Sequence, residues 1–199
     1  MEPAGIEASK RRIGVGSALT TLVNSGPSTD TCQPWLVDLG PAEPGAEPEV
    51  VVAVGPAFGV HIQQTLSGLN LSDVLAAMLA GIEDEGLPWR VVRVHHTSDC
   101  AFIGHAGAQL SGSGVSIGIQ SKGTTVIHQR GLAPLENLEL FSMSPNLDLA
   151  AYRQIGRNAA RYADYSSVDA RVSYEWTLPR GTLTLHGELT NALDRRHPC

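Results

Sequence analysis

The stretch from Leu110 to Ser142, LSGSGVSIGIQSKGTTVIHQRGLAPLENLELFS, constrains the fold more than any other part of the chain. Gly112, Gly114 and Gly118 mark points where a backbone turns tightly or comes close to another surface. Val115, Ile117 and Ile119 alternate with Ser116, Gly118 and Gln120, which is the period of a strand with one buried face. Ser121 to Thr125 form a polar turn holding Lys122, one of only two lysines in the chain (the other is Lys10). Val126 and Ile127 resume a strand, residues 128–131 turn it, and Leu135 to Ser142 run on. The glycines do not form a nucleotide-phosphate loop. Gly112-x-Gly114-x-x-x-Gly118 misses the dinucleotide spacing by one residue and precedes a strand, where that fingerprint opens a helix. A Walker frame is absent around Gly123.

Upstream, Val50 to Gly55 is a continuous apolar run, as in a strand covered on both faces of a parallel sheet. Ser72-Asp73 suggests a helix start, Val74, Leu75, Met78, Leu79 and Ile82 follow at helical spacing, and Gly86 suits a C-cap. Trp89 to His95 reads as the next strand, so the order implies a right-handed βαβ unit. Asp99 follows that strand at its carboxyl end, where open α/β sheets place ligands; the plain alternative is a turn residue bonding its own backbone. Residues 101–103 read as a short third strand. Asn146 is the expected cap of a last helix over 147–163, with Leu149, Tyr152, Ile155, Ala159 and Tyr162 toward the core. Arg153, Arg157 and Arg161 stripe another face, either solvated or suited to a partner's acidic surface.

These elements predict an α/β fold with an open, mostly parallel, Rossmann-like sheet flanked by helices. Three regions are expected: a flexible extension over 1–47, rich in Pro, Gly and acids, an α/β domain over 48–164, and an atypical β-rich tail over 165–199. In the tail, residues 168–176 and 182–189 alternate strongly about a Leu-Pro-Arg-Gly turn, a hairpin signal. The net charge of −6, with no aromatic-basic interleaving, argues against nucleic-acid binding. No run of eighteen apolar residues predicts a membrane-spanning helix. Cys32, Cys100 and Cys199 are widely spaced and odd in number, which suggests reduced cytosolic thiols and no zinc site.

The stretch SGSGVSIGIQSKGTTVIHQRGLAPLENLELF resembles the medium (β) subunit of adenosylcobalamin-dependent diol and glycerol dehydratases. The resemblance continues through EVVVAVGPAFG, AGIEDEGLPWRVVRVHHTSDCAFIG and LAAYRQIGRNAARYA, spanning residues 49–163. It implies a cytoplasmic hetero-oligomer, a dimer of heterotrimers with large and small subunits; in some members the variable N-terminal extension directs the enzyme into a bacterial microcompartment. The large subunit, a TIM barrel, holds substrate and a metal ion. The medium subunit covers one side of the corrin during radical dehydration of a 1,2-diol to an aldehyde. Asp99, Lys122, Thr124 and Ser142 match the family's polar cofactor-contacting positions. The resemblance assigns this chain no catalytic residue and no metal ligand, and the three glycines are expected to let its backbone approach the macrocycle.

The D-x-H-x-x-G motif of proteins that bind cobalamin through their own histidine is absent, His105 lying six residues beyond Asp99, so the expected cofactor keeps its own lower base. His128 reads as a strand-end histidine. A second expectation is the small subunit of the dehydratase-reactivating factor, which shares the fold but is shorter and lacks the IQSKGTTVIHQ motif; a third is a stand-alone binding module. Residues 168–198 resemble the closing strands of TonB-dependent outer-membrane receptors, but two strands cannot build a barrel.

Overall fold

The computed structural model describes residues 19–24, 35–166, 170–178 and 181–189. Seven strands form one sheet: β1 (Leu19–Asn24), β2 (Leu36–Pro41), β3 (Val50–Val54), β4 (Trp89–Val94), β5 (Val115–Ile119), β6 (Thr125–Gln129) and β7 (Glu139–Phe141), in the order β2-β1-β4-β3-β5-β6-β7. Helices α1 (Leu71–Asp84), α2 (Cys100–Leu110) and α3 (Leu149–Ser166) cover it. The α/β class is as the sequence predicts, but the sheet is mixed. Only β4, β3 and β5 run parallel, whereas β1, β2, β6 and β7 join by antiparallel pairing. For β6 the reason is connection length: the turn over 120–124 is too short for the crossover that a parallel neighbour requires.

Residues of β3 alternate between two cores. Val50, Val52 and Val54 pack with the apolar faces of α1 and α3, including Leu75, Met78, Tyr152 and Ile155. Val51 and Ala53 pack with Val92, Val94, Ile103 and Leu110 on the α2 side. Burial on both faces explains the unbroken apolar run, each such side chain contributing about 1.5–3 kcal/mol on burial.

Residues 101–103, expected as a strand, open α2 instead. Asp99 caps that helix, and Gly104 lets it lie directly on the sheet. A Cβ on Gly118 of β5 would sit 2.4 Å from Gly104 N, so the two backbones touch. The glycines therefore serve contacts within the chain. Gly112 lies against the backbone of Glu47 and Gly114 adopts φ +77° in a turn, so neither Gly112 nor Gly118 is left to approach a macrocycle as the resemblance implied.

Part of the expected extension is ordered. Strands β1 and β2 extend the sheet beyond β4, burying Leu22 and Leu36, while Trp35 packs edge-on against Phe58 at 6.0 Å between ring centres. Short strands between Pro- and Gly-rich segments carry too little periodicity to be seen in sequence. The remainder of 1–47 up to residue 34 lies outside the described residues. In the tail, β8 (Ala170–Leu178) and β9 (Gly181–Leu189) pair antiparallel as a separate two-stranded sheet, as the alternation predicts.

The arginine stripe of α3 binds α1. Arg153 grips Asp84 with two hydrogen bonds of 2.7 Å, Arg157 adds bonds of 2.9 and 2.7 Å to the same carboxylate, and Arg161 reaches Glu85 at 2.9 Å. The stripe is thus an intramolecular clasp, each of its three guanidiniums pairing with a carboxylate of α1 or its C-cap. Hydrogen bonds from Arg153 and Arg157 hold the Asp84 carboxyl well below its ordinary range. A depressed folded-state value makes this contribution present above the unfolded carboxyl pKa, about 3.9, and lost as pH falls below it. Asp84→Asn should therefore lower the thermal midpoint at neutral pH, with the difference from the parent chain shrinking below about pH 4 in a denaturation series.

Candidate functional site

Strands β3, β4 and β5 end at one edge of the sheet, at Val54, Val94 and Ile119. Because β6 runs against β5 and β7 against β6, β6 begins and β7 ends at that same edge. The chain passes from β3 through α1 to β4 on one side, then through α2 on the opposite face to β5 on the other side. The connections diverge between β3 and β5, which makes their carboxyl ends a topological switch point, the usual ligand position in open α/β sheets.

All four site residues named from the sequence lie along this edge. Asp99 follows β4 and caps α2, its Oδ1 accepting the N–H groups of Ala101 at 2.9 Å and Phe102 at 3.3 Å. The turn-residue alternative is therefore literally true of one oxygen, although the residue is exposed. Lys122 is exposed at the tip of the β5–β6 turn, and Thr124 is half-buried at its end. The register pairs Thr125 with Phe141, which sets Ser142, exposed just beyond β7, beside Thr124.

The turn is held from several directions. Gly123 N–H donates to Gln120 O at 2.9 Å and Gln120 N–H to Thr124 O at 2.8 Å. Gly123 takes φ +107°, a backbone that side chains resist. Its carbonyl accepts from the Tyr152 hydroxyl of α3 and from Thr125 Oγ1, each at 3.0 Å. Lys122 O accepts from Leu66 N–H at 3.1 Å, tying the turn to the 55–70 loop. Sequence reading placed Tyr152 in the core but gave no sign of this second duty; a lone tyrosine on an apolar helix face carries none.

Arg93 also escaped the sequence reading. It is only 3% exposed, and its Nη1 donates to the carbonyls of Gly55, Pro56 and Phe58 at 3.3, 3.3 and 2.7 Å. Its Nε lies 3.6 Å from Asp38 Oδ1. Burial pulls its guanidinium pKa down, with Asp38 opposing. Arg93 thus gathers the start of the edge loop from beneath.

Histidines contribute packing. His128 is fully buried, its Nδ1–H donates to Gln129 O at 2.9 Å, and its ring meets His105 of α2 at 5.1 Å between centres. Burial, followed by the neighbouring His128, lowers the His105 pKa. Burial, with Asp99 adding, raises that of Cys100 and keeps its thiol protonated. Among the described residues, no group of three or more His, Cys, Asp or Glu stands together to hold a metal ion, and no helix is long and apolar enough to cross a membrane.

Apolar residues flank the polar edge. Leu66, Phe102 and Met143 are exposed, and Leu66 and Met143 line a pocket of about 200 Å³ with Ser67, Ser144 and Pro145. The edge therefore presents the Lys122 ammonium, the Asp99 carboxylate and the Thr124 and Ser142 hydroxyls beside an apolar margin.

The dehydratase medium subunit family matches residues 55–168, and the chain belongs to that family. Among solved structures, a glycerol dehydratase reactivase is 19% identical with a TM-score of 0.49, the match covering 59% of this chain and 93% of that one. A diol dehydratase-reactivating factor complexed with ADP and Mg2+ is 24% identical with a TM-score of 0.45, covering 59% and 94%.

Tyr152→Phe should remove one of two hydroxyl donors to Gly123 O while keeping the ring packed, at a cost of about 1 kcal/mol. Denaturant titration of the two chains measures the loss.

Proposed function

We propose that the chain is the medium subunit of an adenosylcobalamin-dependent diol dehydratase acting on propane-1,2-diol or glycerol. In this reading its carboxyl edge covers one side of the cobalamin against a catalytic large subunit. The observation that carries the reading is the convergence of Asp99, Lys122, Thr124 and Ser142 on one sheet edge in a member of the dehydratase medium subunit family.

The donor set suits the ligand. Cobalamin displays amide side chains and a phosphate, and the Lys122 ammonium is a donor to phosphate or amide oxygens. Thr124 and Ser142 donate or accept as the facing amide requires. Asp99 Oδ1 serves the helix cap, but a carboxylate has about four acceptor sites, which leaves capacity for amide N–H groups. Without a protein histidine in the D-x-H-x-x-G frame, the cofactor keeps its own lower base. When bound, the cofactor supplies the radical chemistry that converts the diol to an aldehyde with loss of water. This chain binds it, orients it and helps exclude water, while Leu66, Phe102 and Met143 give the large subunit an apolar surface to close upon. A small subunit completes a heterotrimer, two of which form the cytoplasmic enzyme.

Co-expression with a large and a small diol dehydratase subunit should yield one complex by size exclusion, retaining base-on corrin absorption and diol dehydratase activity. Within it, Lys122→Ala should weaken adenosylcobalamin binding by roughly tenfold, the scale of one charge-assisted hydrogen bond, with the chain's thermal midpoint unchanged. An unchanged affinity would contradict the assignment of Lys122. A chain that displaces a medium subunit and expels cobalamin would instead be a reactivating-factor subunit.

A further inference from the structure

The polar residues of the carboxyl edge stand on separate loops, and one side chain joins two of those loops. Asp99 belongs to the β4–α2 connection and Lys122 to the β5–β6 turn. In the sheet, β3 lies between β4 and β5, so the two loops start about two strand spacings, or roughly 10 Å, apart. Gln120 crosses this interval. Its Nε2 donates to the carbonyl of Ser98 at 3.1 Å, one residue before Asp99. Its own backbone forms the base of the Lys122 turn, donating to Thr124 O at 2.8 Å and accepting from Gly123 N–H at 2.9 Å.

Each loop is already stiff in itself. The Asp99 cap fixes the start of α2, and Tyr152 and Thr125 pin Gly123. The Gly104–Gly118 contact and the Ser116–Gly104 hydrogen bond seat α2 on β5, and the Gln120 amide then ties the two loops directly to each other. The residue is half-buried at the end of β5, beside the switch point, with its Nε2 donating to the protein.

We propose that Gln120 is a positioning residue that fixes the spacing between Asp99 and Lys122, and through it the affinity for cobalamin; this rests on the cofactor reading above. Gln120→Met retains the length of the side chain and removes the donor. In the complex assembled with large and small subunits, the adenosylcobalamin concentration at half-saturation should rise about three- to tenfold, the range expected for one hydrogen bond. The kcat at saturating cofactor should stay unchanged, and the substitution should add nothing in a Lys122→Ala background. Gln120→Met acting only on complex yield or thermal midpoint, with half-saturation untouched, would show a merely structural role and overturn the proposal.

A cofactor-free measurement separates failure of this inference from failure of the cofactor reading. By hydrogen exchange of the full chain, Gln120→Met should raise exchange in residues 99–102 and 122–124 together. A rise in one loop alone, or in neither, rejects Gln120 as the link even where Lys122→Ala weakens binding. The joint rise with an unaltered half-saturation in Lys122→Ala would instead reject cobalamin as the ligand of this edge.

Discussion

Backbone contact between Gly104 of α2 and Gly118 of β5 is the constraint on which the rest of the structure depends. A side chain at Gly118 would strike main-chain atoms of Gly104 and Cys100, and main chain has little room to move aside. Overpacking of this kind typically costs about 1–3 kcal/mol. With both positions bare, α2 settles onto the sheet and closes the core made by Val51, Ala53, Val92 and Val94. Its N-terminus, with Asp99, then stands at the carboxyl edge of the sheet, level with the turn that follows β5. Ser116 adds a second tie, its hydroxyl donating to Gly104 O at 2.6 Å. The position of Asp99 relative to Lys122 is thus decided first by two absent methyl groups and then by the Gln120 amide.

The opposite face is assembled differently. Tyr152 joins the two aspects of α3: its ring fills the core beneath β5, and its hydroxyl supports Gly123 under the turn. Burial pushes its phenol up to about 12, so it remains a neutral donor at ordinary pH. The clasp of Arg153 and Arg157 on Asp84 holds α3 against the end of α1. Support for the edge therefore comes from both faces of the sheet, although the four polar residues it presents are all on loops or strand ends.

Much of this was legible in the sequence, and what was not has physical reasons. The buried run of β3, the amphipathic spacing of α1 and α3, and the β5–β6 alternation all appear where periodicity places them. Asp99, Lys122, Thr124 and Ser142 could be named from motif resemblance, and the register then brings them to one edge. The start of α2 was misread because Gly104 and Gly107, poor helix formers, sit where tight packing requires them. The antiparallel strands were missed because pairing direction follows from connections and long-range contacts. Strands β1 and β2 gain stability by joining an existing sheet, which local sequence does not reveal. Arg93 and Gln120 were invisible because their importance lies in the carbonyls they meet, and a sequence shows no carbonyl geometry.

We propose that the carboxyl edge of this sheet faces the cofactor. This orientation is tested most directly by hydrogen exchange of the assembled dehydratase with and without adenosylcobalamin. Protection concentrated in residues 98–102, 120–125 and 142–144 is the predicted result. Protection confined to other segments, such as 43–49 and 110–114 at the opposite end of the strands, would contradict it.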